Sequence, residues 1–575
     1  MRIRTVVLGL LAVGAAGVHC NGQSAGTPPP VPETPAPAVG TVARLHWIGK
    51  DALAVHSNAA GLMKLWKLPE SVRLEAQTLD KLARALARWS ATNPPPTLST
   101  QSASSPFRPL LEDLLRRESY LEVRQAGAQP SEMALAIRLD PQRAALWETN
   151  LDAALPAPPG AAQASAREGL RRWQLPASRQ PSGPTLGLSL AHGGGWTLLG
   201  LAPGPNPLLD EFAARIQAGH TPFPAPATNG WVEAQFNPQR LAAALGRHWS
   251  PLEGLAQVSF SAGGDGATVL EQARLDFARP LDLKLEPWKL PSPLVAGQVT
   301  SFTAVRGFGP WLASLEAWKG LEIGGPPNQA YCWALHGVPL LSFFAAPGPD
   351  ASNQVARLSD LVLRKCGPWL ATNPVAKFRK AKDYNGLEWR GLPYIDPFLQ
   401  SIGSGTNSFV FAGLFPPPGT NASQPLPPDL VAQLEKREDL VGYSWEITAR
   451  RVNEWVRIGQ FLRLVAQGAQ MPPLSAAFTW LAAAGTNLWP SVTEIAQTGA
   501  GQLSFKRRSS LGFTAVELHL LADWLESKDF PFGLHTTTAS PSEPTPEPAP
   551  TRPPARPPPA KNKRPGVRSF PGQSK

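Results

Sequence analysis

An internal repeat constrains the fold of this chain more than any other feature of the sequence. Residues 186–206 and 330–350 align without a gap, so that His192 matches His336 and the ending APGPN matches APGPD. Each segment predicts two apolar strands joined by a Gly-containing turn, followed by an Asn or Asp that caps a helix. The repeat therefore predicts two copies of one hairpin-and-helix unit. The two helices are expected at 208–218 and 353–365.

A second recurring unit joins a strand to a helix. Residues 134–147 and 232–245 both run from an apolar strand into Asp or Asn and then Pro-Gln-Arg. An Asx side chain accepts an N–H at the start of a helix, and proline at the first helical position has no N–H to leave unpaired. Further copies are expected at 301–315 and 443–458, and a hairpin ending each half is expected at 258–277 and 503–520.

These units predict an α+β fold made of two tandem duplicated domains, each a mostly antiparallel sheet covered by helices, with disordered proline-rich arms at both ends. A lead-in at 41–116 is expected to hold a strand at 42–48 and helices near 59–66 and 70–89. The expected α+β repeats are 117–290 and 291–535, the second with an insertion near 377–425. This insertion carries its own hairpin signal, Asn385-Gly386 between apolar residues.

The proline-rich ends predict extended arms that bury no core. Residues 21–40 hold six prolines, and the tail at 536–575 holds twelve prolines with seven basic and two acidic side chains. Much of the formal net charge of +11 therefore belongs to the tail. We expect the tail to contact anionic envelope polymers or lipid headgroups, or to serve as a solvated tether. Nucleic acid is not expected as a partner, because no basic patch is indicated on the folded body.

Residues 1–20 predict a signal peptide. Arg2 and Arg4 precede an uncharged apolar run at 5–18 that ends in small residues. The run is shorter than the roughly 20 residues that cross a bilayer. We therefore expect an exported protein, periplasmic or extracellular, with no transmembrane span in the mature chain. Lipid anchoring at Cys20 is the alternative, although His19 fits poorly in front of a lipidated cysteine.

The lead-in carries a resemblance. The segments VARLHWIGK at 42–50 and NAAGLMKLWKLPESVRLEAQTLDKLARAL at 58–86 resemble the start of uncharacterised exported proteins typical of Verrucomicrobia-type bacteria. The likeness covers residues 41–90 and contains no functional motif. It implies a bacterial source and export, and it brings no known activity.

The sequence offers no catalytic, cofactor or metal signature. The histidines show no H-x-H or H-x-x-x-H spacing, and the glycine-rich stretches at 193–195 and 263–266 lack the Lys-Ser/Thr of a phosphate loop. His192 and His336 are expected to be equivalent turn residues of the repeat, with an approach of the two across a pseudo-twofold as the alternative. Cys332 and Cys366 are expected either to pair as a disulfide in an oxidising compartment or to stay as two buried thiols.

Tryptophan is abundant, with 19 residues in the chain. Most lie in apolar patterns, as Trp147 and Trp311 do, and are expected to pack in the core or between helices. Exposed tryptophans that stack on carbohydrate are the alternative.

Duplication without a motif, together with the two arms, favours a non-catalytic envelope or periplasmic protein that acts by binding or assembly. No cofactor is expected. The alternative is an exported hydrolase acting on polysaccharide or peptide, with a site between the duplicated halves. Two carboxylates brought together only in space would leave no motif, so the sequence leaves this alternative open.

Overall fold

The fold is described from a computed structural model. The residues that the structure describes are 40–90, 105–125, 131–155, 170–175, 186–224, 230–244, 254–320, 324–336, 342–371, 377–381, 385–390, 396–415, 426–467, 475–527 and 530–531. The expected signal peptide, the spacer before Gly40 and the proline-rich tail lie outside these residues.

In the described residues, runs of consecutive strands are separated by one or more helices along the chain. In chain order the strands are β1 Thr41–Trp47, β2 Ser119–Arg124, β3 Glu132–Arg138, β4 Leu170–Gln174, β5 Gly187–Gly193, β6 Trp196–Ala202, β7 Val232–Phe236, β8 Leu255–Gly264, β9 Val269–Phe277, β10 Val299–Arg306, β11 Gln329–Leu335, β12 Ser342–Pro347, β13 Lys377–Lys380, β14 Gly386–Arg390, β15 Phe398–Ile402, β16 Phe409–Gly413, β17 Leu440–Glu446, β18 Ser491–Gly499 and β19 Gln502–Ser509. The coarse expectation of an α+β fold is confirmed.

The α-helices include all those expected from the capping signals. In chain order they are α1 Lys50–Leu53, α2 Ala60–Trp66, α3 Pro69–Ser90, α4 Phe107–Arg116, α5 Pro141–Ala154, α6 Pro207–Gln217, α7 Pro238–Ala244, α8 Gly309–Ser314, α9 Glu316–Lys319, α10 Ala351–Ala371, α11 Pro428–Glu435, α12 Thr448–Gln467, α13 Ala476–Gly485 and α14 Ala515–Glu526. None of these described helices combines the length and the apolar character that a membrane span requires.

The predicted strand-to-helix units form as expected. The Asp140 carboxylate accepts the Arg143 N–H at 2.8 Å where α5 begins, and the Asn237 side chain accepts the Arg240 N–H at 2.9 Å where α7 begins. Each bond pairs a backbone N–H that the helix itself leaves free. The local sequence therefore fixes where these helices start.

The hairpin expected at 503–520 was wrong in its second strand. β19 pairs with the preceding strand β18, and the chain after Thr514 forms the helix α14. Thr514 and Glu517 make a reciprocal capping box, in which the Glu517 carboxylate accepts the Thr514 N–H at 2.7 Å. This Thr-x-x-Glu signal outweighs the apolar run that suggested a strand.

All strands belong to one antiparallel sheet, whereas the sequence suggested a separate sheet for each half. From the pairings the strand order is β4-β5-β6-β3-β2-β1-β7-β8-β9-β19-β18-β17-β10-β11-β12-β16-β15-β14-β13. The halves join where β9 pairs with β19, which covers two edges whose N–H and C=O groups would otherwise be unpaired. The expected lead-in strand, β1, lies inside the first half between β2 and β7.

The strand order also bears on the repeat. The segments 186–206 and 330–350 both form hairpins, β5–β6 and β11–β12, as the alignment predicted. Counted outwards from the β9–β19 pair, β6 and β5 are the seventh and eighth strands of one half, while β11 and β12 are the fifth and sixth of the other. The topology thus favours a different correspondence between the halves from the one that aligns His192 with His336.

The sheet carries helices on both faces. We call the face that bears Leu135 and Phe344 the front face, and the face that bears Ala136 and Phe343 the back face. On the front face of the first half, α3, α4 and α5 pack a continuous apolar core. On the back face, α6 covers the first half and α11 covers the second. Helices α10, α12 and α14 lie on the front face of the second half and of the centre.

A buried ionic cluster lies on the front face at the junction of β9 and β19. The Arg507 guanidinium donates to both carboxylate oxygens of Glu517, at 2.9 and 3.0 Å, and the Glu271 carboxylate lies 3.4 Å from the same guanidinium. Burial raises the pKa of Glu271 to about 8; the Arg507 charge opposes this rise, and the Glu517 charge adds to it. The cluster connects β9, β19 and α14 across the two halves.

The pKa of Glu271 predicts a pH-dependent stability. Between about pH 4.5 and pH 8 the folded chain holds a proton that the unfolded chain has lost, so the free energy of unfolding should fall as pH rises through this range. Glu271→Gln is permanently neutral and should flatten this decline in urea unfolding measured across that range. The exposed change Glu435→Gln is the control and should keep the wild-type profile. Parallel profiles for Glu271→Gln and wild type would contradict the account.

Candidate functional site

A cavity of about 590 Å³ lies on the front face of the second half. Its floor comes from seven neighbouring strands, β17, β10, β11, β12, β16, β15 and β14, and its walls include residues of α10, α12 and α14. Small-molecule sites in proteins span roughly 300–1,000 Å³ and are lined mainly by apolar side chains. The cavity has the size and the concave form of such a site.

One end of the cavity is apolar. Leu387, Leu399 and Ala412 face it from β14, β15 and β16, and Val362 faces it from α10. Their positions follow from the strand register, in which Leu387 pairs with Leu399 and Leu399 pairs with Ala412. Side chains paired in this way point to the same face of a sheet. The register therefore gathers three strands' apolar side chains into one wall.

The other end of the cavity is polar. Ser301 and Thr303 of β10 and Ser444 of β17 lie there, and the Thr303 hydroxyl donates to the Ser444 hydroxyl oxygen at 2.6 Å. The register pairs Thr303 with both Ser444 and Cys332. The polar end thus offers hydroxyl groups, whereas Leu387, Leu399, Ala412 and Val362 at the apolar end offer none.

Glu446 lines the polar end but serves the fold. Its carboxylate accepts the Ser491 hydroxyl at 3.0 Å and the Ala515 backbone N–H, the first of α14, at 2.7 Å. Complete burial raises the pKa of Glu446. The side chain is therefore held against the start of a helix, where a carboxyl group stabilises the exposed N–H groups.

Arg451 lines the cavity from the first turn of α12 and is 6% exposed. Its guanidinium forms an ion pair with Glu454 and lies over the Trp455 ring, with 5.6 Å to the ring centroid. The Nε–H of Arg451 has no hydrogen-bond partner among the described residues. A buried N–H without a partner costs about 1–3 kcal/mol, so the guanidinium of this cavity-lining residue has an unfilled hydrogen-bonding position.

Cys332 lies midway along the cavity floor, on β11. It carries a free thiol that is open to solvent, and the protein atoms around it raise the pKa of the thiol to about 11. The side chain of Cys366 lies outside the described residues. Because the Cys332 thiol is free, the structure does not contain the expected disulfide between the two cysteines.

The two histidines of the sequence repeat have separate surroundings. His192 ends β5 at its turn, where its ring nitrogens lie 2.9 Å from a Glu148 carboxylate oxygen and 3.1 Å from the Thr197 hydroxyl oxygen. His336 follows β11, and its Nδ1 lies 3.3 Å from a guanidinium nitrogen of Arg450. The structure describes contacts of each histidine within its own half and none between the two. Each histidine lies at the end of a strand, and the described residues form no site that contains both.

The other sequence features that were candidates for a site form no ligand-binding arrangement among the described residues. Across the described ranges, no group of three or more His, Cys, Asp or Glu side chains could hold a metal ion. The glycine-rich stretches 193–195 and 263–266 form the expected turns of the β5–β6 and β8–β9 hairpins. Trp147 is buried as expected, whereas Trp311 on α8 is 49% exposed and does not have the predicted packing role.

The cavity residues could not be predicted from the sequence, because they are spread from Ser301 to Val516 and come together only through the strand order. Two signals were available. Thr303 and Ser444 are polar side chains in strands that also carry buried apolar side chains, and alternation places each on one face. Arg451 is an arginine in the first turn of a helix, where the macrodipole disfavours a cation, and such a breach of local preference indicates a special role.

The environment of Cys332 predicts slow alkylation. With a pKa of about 11 the thiol is almost fully protonated at neutral pH, and the thiolate is the reactive form. Iodoacetamide labelling, followed by mass spectrometry of the peptide that contains Cys332, should be at least about tenfold slower at pH 7.5 than labelling of an unstructured cysteine peptide. The rate should still rise from pH 8 to pH 10. Labelling as fast as the peptide would contradict the assigned surroundings.

The chain was also compared with known proteins. No family model, no curated protein and no solved structure matches it. The resemblance noted for residues 41–90 stays a prediction, and the function is argued from the geometry of the cavity.

Proposed function

We propose that this chain is an exported, non-catalytic protein that binds an apolar or amphipathic ligand in the front-face cavity of its second half. The observation that carries the proposal is the division of the cavity into an apolar end at Leu387 and Leu399 and a polar end at Thr303 and Ser444. Loose packing alone would leave polar and apolar side chains mixed along the lining, whereas here they are separated at the two ends.

The first half supports the proposal by contrast. Its corresponding front-face row carries Leu45, Leu121 and Leu135 on β1, β2 and β3, and helices α3, α4 and α5 fill the space above that row. In the second half the same row carries Thr303, Cys332 and Phe344 on β10, β11 and β12, so that smaller and more polar side chains stand at the first two positions. Smaller and more polar side chains leave room that leucines fill in the first half.

The chain segment that follows the first strand of each half explains why helices cover less of the front face in the second half. Between β1 and β2 the chain forms the long helices α3 and α4, whereas between β10 and β11 it forms only the short helices α8 and α9 in its described part. We further propose that the halves descend from one duplicated domain. The outward strand orders β9-β8-β7-β1-β2-β3-β6-β5-β4 and β19-β18-β17-β10-β11-β12-β16-β15-β14 support this.

The hydrolase alternative draws less support. A glycosidase of the usual kind needs two carboxyl groups roughly 5–10 Å apart in one cleft. Glu446 is the carboxylate that lines the cavity, and it is bound to Ser491 and to the start of α14. The cavity also lies within the second half, whereas the hydrolase hypothesis expects a site between the halves.

Filling the cavity tests the proposed function. Ala412→Phe would place a ring among the front-face side chains at the apolar end and should weaken binding of the neutral fluorescent probe N-phenyl-1-naphthylamine by at least about tenfold. The control Ala482→Phe adds the same ring at an exposed site of α13 and should bind as wild type does. Circular dichroism checks that both variants fold. Equal probe binding by the two variants, or none by wild type, would overturn the proposal.

Export is tested by cell fractionation of the native producer. The signal peptide predicts release by osmotic shock or by salt, which would weaken contacts between the basic tail and anionic polymers. Retention until detergent is added would instead indicate a lipid on Cys20. Recovery of the full-length chain in the cytoplasm would contradict export.

A further inference from the structure

The shape and polarity of the cavity define its ligand more narrowly, and this inference rests on the proposed function. The cavity floor crosses seven adjacent strands, which at about 4.8 Å per strand spacing gives a length of roughly 29 Å. A cavity of this length has room for an extended hydrocarbon chain that runs across the strands.

The polar end identifies the head group. Beside the hydroxyl groups of Thr303 and Ser444 lies Arg451, whose buried Nε–H has no acceptor among the described residues. Guanidinium groups bind carboxylates through short, charge-assisted hydrogen bonds. Hydroxyl groups supply further donors to the same oxygens.

The charges around Arg451 leave it able to accept an anion. Glu454 already pairs with Arg451, and Glu446 is the other carboxyl group near the guanidinium. Burial raises the pKa of both carboxyl groups, which weakens their hold on Arg451. Arg450 adds positive charge near Glu454. A ligand anion would therefore have to share Arg451 with Glu454.

We propose that the ligand is a single-chain alkyl carboxylate, whose chain lies along the front-face cavity toward Leu387 and Leu399 and whose carboxylate accepts from Arg451. Glu454 competes with the ligand for the guanidinium. Removing Arg451 and removing the Glu454 charge should thus have opposite effects on carboxylate binding, which a purely structural role for the ion pair does not predict.

The test compares three ligands of equal chain length below their micelle concentrations: dodecanoate, dodecan-1-ol and dodecyltrimethylammonium. Each displaces N-phenyl-1-naphthylamine from wild type, Arg451→Met and Glu454→Gln. In wild type, dodecanoate should displace the probe at a concentration at least about tenfold lower than the alcohol, as expected for one charge-assisted hydrogen bond, and the cation should be weakest. Arg451→Met should abolish the preference for carboxylate. Glu454→Gln should strengthen dodecanoate severalfold and leave the alcohol unchanged.

The outcomes separate the two proposals. If the alcohol binds as well as the carboxylate in wild type, or if Arg451→Met keeps the preference, the head-group assignment is overturned while cavity binding stands. If the probe does not bind wild type at all, the proposed function itself fails. Should Arg451→Met not fold, Glu454→Gln decides, because an unchanged ratio of dodecanoate to alcohol in that variant would overturn the assignment.

Discussion

Backbone pairing between β9 and β19 makes one sheet of two halves, and the rest of the architecture depends on it. Arg507 stands on the front face of this junction, paired with Glu517 of α14 and close to Glu271 of β9. The same helix begins at Ala515, whose N–H binds Glu446, and its Val516 forms part of the cavity wall. Through α14 the junction of the two halves is thus connected physically to the polar end of the cavity.

The cavity exists because one half of the sheet is covered less completely than the other. In the first half the helices α3, α4 and α5 bury a row of leucines, and burial of each such side chain contributes about 1.5–3 kcal/mol. In the second half Thr303 and Cys332 stand in the corresponding row in place of leucines. The row therefore has less of that stabilisation, and it leaves space beside a hydroxyl group and a thiol. A part of the sheet that is left uncovered in this way offers space for a ligand. The buried Arg451 adds a charged group to the lining of that space, as expected for a binding site.

Local signals in the sequence predicted much of the fold, and long-range pairing accounts for what they missed. Asp140 and Asn237 announce their helices because capping involves residues only three apart. The junction of β9 with β19 could not be predicted, since strand pairing 230 residues apart leaves no local trace. The hairpin expected at 503–520 failed because the capping box of Thr514 and Glu517 was overlooked. The cavity was missed for the same reason as the junction: Thr303, Ser444 and Arg451 meet only once the strand order is known.

The most direct measurement of the central claim is anomalous diffraction from crystals of the chain grown with 12-bromododecanoate. The account predicts a bromine peak inside the front-face cavity, displaced from Arg451 toward the apolar end, and carboxylate density within hydrogen-bond distance of Arg451. A bromine peak beside Arg451, with the carboxylate at the other end, would contradict the assigned polarity of the cavity. Bromine peaks only outside the cavity, with the cavity free of ligand density, would contradict the claim that it is the binding site.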